Sequence, residues 1–95
     1  MFLALKLRTR FRVLAAQLPL KKGEALDLYK AYFSLKKQYN VVYNEYFFCL
    51  VVKGDFFSFE VFPSGLVKTA SNASTKELER ALNKLWRELK KFVVK

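Results

Sequence analysis

Four cations fall on alternate positions near the start of the chain. In "LKLRTRFRV", residues 5–13, Lys6, Arg8, Arg10 and Arg12 are separated by Leu7, Thr9 and Phe11. On an extended backbone, successive side chains point to opposite faces. One strand here would display a row of four positive charges, and the chemistry open to such a row is neutralisation of anions, phosphates above all. The whole chain shares that bias: 18 basic against 8 acidic residues give a formal charge of +10. A balance of this kind favours nucleic acid, an anionic membrane surface or an acidic protein as partner.

Catalytic chemistry has little to stand on. The chain has no histidine. It also has no Gly-rich phosphate loop, nucleophile motif or metal-ligand spacing. All acids but Glu45 and Glu60 read as helix-surface or turn residues, and those two do not make a carboxylate pair. Ser64 and Ser74 read as turn and cap residues. Cys49, the single cysteine, sits in an apolar run and reads as a small strand residue. One thiol cannot form an internal disulfide, which suits a reducing compartment. The expectation is a non-enzymatic protein with no cofactor, no metal and no small-molecule substrate. Apolar runs too short to span a bilayer, and an N-terminus without a cleavage site, point to the cytoplasm and to no membrane partner.

Ninety-five residues, 53% of them hydrophobic, suffice for one domain with a packed core, so residues 1–95 read as a single domain. Residues 2–16 alternate with period two and read as one long strand, with Leu3, Leu5, Leu7, Phe11 and Val13 on one face and the four cations on the other. Pro19 and Gly23 end the pattern. Residues 24–37 read as a helix with Leu28, Tyr32 and Leu35 on its buried stripe, Ala25 and Ala31 flanking it, Glu24 and Asp27 in the first turn and Lys36 and Lys37 in the last. Four strands follow, near 41–44, 46–53, 56–62 and 66–70, with turns at Gly54-Asp55 and Pro63-Ser64-Gly65. Residues 75–92 read as the second helix, opened by a Ser74/Glu77 capping box and carrying Leu78, Ala81, Leu82, Leu85, Leu89 and Phe92, with Trp86 beside them.

Two amphipathic helices need one apolar sheet face to cover them. The fold class is therefore α+β, an antiparallel sheet with two helices on one face and the other face open. Splitting the strands by parity puts Lys6, Arg8, Arg10 and Arg12 on the open face. It adds Phe47, Cys49, Val51 and Lys53 from the second meander strand and Phe56, Ser58, Glu60 and Phe62 from the third. In the last strand, Leu66, Lys68 and Ala70 oppose Val67 and Thr69. Basic residues interleaved with aromatics suit nucleic acid, because the cations meet phosphates and the rings stack on or wedge between bases.

The stretch "VFPSGLVKTASNASTKELERALNKL" resembles the end of a repeat of the TATA-box-binding protein family: a strand closing in Phe, a Ser-Gly turn, a strand and a helix. "LDLYKAYFSLKKQYNVVYNEYFFCLVV" looks like that repeat's first helix and next two strands. The order strand, helix, four strands, helix is that of one whole repeat. The resemblance implies a curved TBP-like β-α-β(4)-α sheet that binds DNA on its open face, with two phenylalanines wedged between base steps. Phe62 takes one wedge position, and Phe47, or Phe48 with a one-residue slip, takes the other. The family carries two repeats in one chain, so this single repeat implies a homodimer that rebuilds the saddle. Its basic first strand differs from the family's Asn and Val, which argues against a TATA-like target.

The function expected is binding of double-stranded DNA through Lys6, Arg8, Arg10, Arg12, Phe47, Lys53, Phe62 and Lys68. One alternative is a protein-interaction or dimerisation module that buries the aromatic face. The other is an RNA-binding module that stacks bases on the sheet.

Overall fold

The meander strands form where β-branched and aromatic residues alternate with polar ones, and they break at Asn, Gly and Pro. The computed structural model describes residues 5–7, 13–71 and 73–95. In chain order these form β1 (Leu5–Leu7), β2 (Val13–Gln17), β3 (Ala25–Leu26), α1 (Leu28–Leu35), β4 (Asn40–Asn44), β5 (Cys49–Lys53), β6 (Ser58–Val61), β7 (Leu66–Ala70), α2 (Thr75–Leu89), a 3-10 turn (Lys90–Phe92) and β8 (Val93–Val94). The main sheet has six strands in the order β1-β2-β7-β6-β5-β4, and β3 pairs with β8 in a small second sheet. Every pairing is antiparallel. The α+β class holds.

Both helices cover one face of the main sheet. Leu28, Ala31 and Leu35 of α1 and Leu78, Leu82, Leu85, Trp86 and Leu89 of α2 join one cluster with Val41, Leu50, Val52, Phe59, Val61, Val67 and Ala16. The register explains why these strand residues share a face: Val41, Val52, Phe59 and Thr69 form one column across β4 to β7. Thr69 is the polar member. Its hydroxyl donates to the Ser58 carbonyl at 2.8 Å, which lets it be buried without an unmet hydrogen bond.

Several boundaries differ from the sequence reading. Residues 2–16 are not one strand. β1 runs antiparallel to β2, with Leu5 opposite Ala16 and Leu7 opposite Leu14. The alternation runs through both strands, and no Gly, Pro or Asn marks a break between them. In β2 the helix-side member is even-numbered Ala16, whereas the sequence reading put odd-numbered positions on that side. The first helix starts later than residue 24. Asp27 caps it by accepting from the Lys30 N–H at 3.1 Å, and Ala25–Leu26 pair with β8 instead. The second helix ends at Leu89, because the next residues turn into the strand that pairs with β3. This pairing ties the end of the chain to the start of α1, where the Asp27 N–H donates to the Phe92 carbonyl at 2.8 Å.

The Ser74 cap forms as expected in part. Its hydroxyl oxygen accepts from the Glu77 N–H at 3.1 Å, and the same hydroxyl donates to the Glu77 carboxylate at 3.0 Å. Gly65 lies in the left-handed region at φ 89°, and a Cβ there would stand 2.8 Å from the Gln17 amide nitrogen. Glycine is required on both counts. Among the described residues no helix is long and apolar enough to cross a membrane.

Candidate nucleic-acid interface

The side of the sheet away from the helices carries the intervening residues of each strand. One column of the register runs Lys6, Ala15, Lys68, Glu60, Val51 and Val42. Lys68 and Glu60 are directly opposed across β6 and β7. They form no ion pair among the described residues. Lys68 instead reaches over Phe62, its ammonium 5.6 Å from the ring centroid, a cation–π arrangement. Val51, Ser58, Glu60 and Lys68 border a shallow depression of about 300 Å3 on this face. Lys53 is exposed at the far end of β5.

Arg8, Arg10 and Arg12 lie outside the described residues; Lys6 is paired in β1 with Ala15. β1 and β2 are separate antiparallel strands and not the single continuous strand expected to carry the row.

Phe47 does not lie on a strand. The second meander strand begins at Cys49, and Glu45–Phe48 make the turn between β4 and β5. The reason is local. The Asn44 side-chain oxygen accepts from the Tyr46 N–H at 3.0 Å and from the Phe47 N–H at 3.2 Å, which bends the chain away from the ladder. The result is an aromatic tip: Tyr46 is 92% exposed, Phe47 67% and Phe48 65%. Phe48 adopts φ 52°, a left-handed conformation unusual for a bulky side chain. Sequence reasoning placed these rings on a sheet face. The signal for the turn is Asn44, a turn former two residues before the aromatic run.

Phe56 is also in a turn, between β5 and β6, and is 46% exposed. The open face is thus less aromatic than the parity split implied. Its aromatic residues cluster at its ends: Phe62 and the tip at one, Phe56 at the other. A third exposed group lies on α1, where Tyr29 and Phe33 meet edge to face at 5.0 Å and the Lys36 ammonium sits 4.7 Å from the Phe33 centroid.

Cys49, at the root of the tip, is buried although its register position belongs to the open side. Burial pushes its thiol above the ordinary value, and the nearby Glu60 carboxylate adds to the shift. The thiolate needed of a nucleophile is disfavoured there. Among the described residues no group of His, Cys, Asp and Glu could hold a metal ion. Comparison with protein-family models, with curated proteins and with solved structures yields no match.

Proposed function

We propose that this chain binds nucleic acid, double-stranded DNA in the first instance, through the uncovered sheet face and the aromatic tip beside it, as a homodimer and without catalysis. The observation that carries the reading is Lys68 poised over Phe62 on the sheet face opposite α1 and α2. It pairs a cation for phosphate with a ring for a base at one end of the sheet, and the exposed tip aromatics lie at that same end. With β1 and the β3–β8 pair set aside, the order β2, α1, β4 to β7, α2 resembles that of one TATA-box-binding-protein repeat, which supports this use of the face and the wedge role for Phe62 and Phe47. The charge of +10 supplies the long-range attraction. Glu60 tempers it locally and disfavours phosphate at the centre of the face.

Fluorescence anisotropy with a DNA duplex across a salt series tests this. Wild type should bind tightly at low salt, with affinity falling steeply as counterions are released. Each cation removed by Arg8→Ala/Arg10→Ala or by Lys68→Ala should reduce the salt slope by about one. Absence of binding at low salt, despite the charge, would overturn the proposal.

One observation favours a second reading, a protein-interaction module. Exposed aromatics are concentrated at the tip and on α1, and soluble monomers avoid extended apolar patches. On this reading Phe47→Ala/Phe48→Ala yields a stable monomer in light scattering while DNA binding is unchanged.

A further inference from the structure

At the Lys53 end of the sheet, an open cleft of about 900 Å3 lies between the β5–β6 turn and α2. That size falls within the range of small-ligand sites. Its lining is chemically divided. On one side stand aromatic rings: Tyr39 and Phe57 meet edge to face at 6.2 Å, Phe56 and Phe57 at 5.5 Å, and Phe57 stacks on the buried Phe59 at 4.6 Å. This chain of rings anchors the half-exposed Phe56 to the core. Across from them α2 contributes Arg80 and Lys84, and Lys53 lines the cleft from the end of β5. Arg80 and Lys84 are one helical turn apart on α2 and so project from the same side of it.

None of these three cations forms an ion pair among the described residues. The cleft does contain two carboxylates, Glu77 and Asp55. Glu77 is engaged by the Ser74 hydroxyl at the start of α2, which leaves Asp55 as the free one. Unpaired cations facing an aromatic platform suit a ligand that is anionic at one end and flat at the other.

We propose that this cleft binds a phosphorylated nucleoside, its base against Phe56 and its phosphates held by Arg80, Lys84 and Lys53. The aromatic platform argues against a bare inorganic anion, and the cations argue against an uncharged aromatic. The site differs from the expectation of a chain with no small-molecule ligand. It does not rest on DNA binding by the open face, since of the residues expected to bind DNA only Lys53 lines the cleft. A free nucleotide and the phosphorylated end of a strand share this chemistry.

Isothermal titration with ATP, with inorganic tripolyphosphate and with adenosine separates the contributions. ATP should bind about tenfold more tightly than tripolyphosphate, a gap that Phe56→Ala should close. Arg80→Ala/Lys84→Ala should weaken ATP by tenfold or more. Lys68→Ala, on the open face, should leave ATP binding unchanged. All these side chains are at least partly exposed, so the variants should keep the wild-type circular dichroism. Equal affinity for ATP and tripolyphosphate would show only the general attraction of a basic protein and would overturn the site, as would absence of ATP binding. A short oligothymidylate with and without a 5′-phosphate then identifies the source. A Phe56-dependent preference for the phosphorylated strand over ATP assigns a strand end, and the reverse preference assigns a free nucleotide.

Discussion

The two faces of the main sheet come from the same strands by simple alternation, yet they are held by different physics. On the helix side, Leu50, Val52, Phe59, Val61 and Val67 are all but inaccessible and pack against α1 and α2 as one cluster. On the other side, the same strands present Val42, Val51, Lys53, Ser58, Glu60 and Lys68, with no second layer over them among the described residues. The first face is fixed by burial, where a lost methylene leaves a cavity. The second is fixed only by the ladder beneath it, so its side chains are free to be chosen for what they touch outside the chain. A face that can change at little cost to stability is where binding chemistry is easiest to build.

The largest effect should come from Phe59→Ala. It removes a fully buried ring in the centre of the helix-side face and should cost about 3–5 kcal/mol in chemical denaturation. A loss below about 1 kcal/mol would mean the covered face is not the core. Thr69→Val removes the bond to the Ser58 carbonyl and should cost about 1 kcal/mol, since the carbonyl loses its partner while the volume is kept.

Alkaline pH probes both sides at once. Burial raises the Cys49 thiol above 9.0 with help from Glu60, and raises the Tyr39 phenol above 10.0 with help from Glu88. Both groups are neutral when protonated, and the folded state holds their protons more tightly than the unfolded state does. Their contribution is therefore fully present below the unfolded values and is lost as pH rises past them. Denaturation midpoints should stay level with respect to these groups up to about pH 9 and decline above it. Cys49→Ala should soften the first part of that decline, and an identical decline in the variant would remove Cys49 as a contributor.

The smallest effect should be Val42→Thr, on the uncovered side of edge strand β4, where Val42 is 51% exposed. A change within about 0.5 kcal/mol is expected from thermal denaturation. A larger loss would show that something covers this face in solution.

The α+β class, both helices and the meander strands were legible because burial imposes periods of 3.6 and 2 on apolar residues. The stripe Leu78, Leu82, Leu85 and Leu89 could serve only a helix packed on one side, and the structure buries all four. The Ser74 cap and the Ser64-Gly65 turn were legible because each depends on local chemistry. The start of α1 was not, because Ala25 and Leu26 satisfy a helix pattern as well as they satisfy a strand. What removes them from the helix is pairing with Val93 and Val94, nearly 70 residues away in sequence. The N-terminal alternation fits one strand or two for a related reason, since period two says nothing about where a strand ends.

The candidate interface divides in the same way. Lys53 and Lys68 were placed on the open side by alternation alone, and the register keeps them there. Alternation predicts a strand at Phe47, yet it stands in a turn, because two backbone N–H groups prefer the Asn44 side chain to the ladder. The cleft between the β5–β6 turn and α2 could not be read at all: Phe56 and Arg80 belong to separate elements, and only their packing makes them neighbours.

The sequence by itself determined the charge of the chain, the absence of histidine chemistry and the buried stripe of α2, because these follow from composition and period. Tertiary structure decided which strands are neighbours, where the aromatic rings emerge and which cations share a cleft. Those outcomes depend on pairings between distant segments, and no local preference of the chain encodes them.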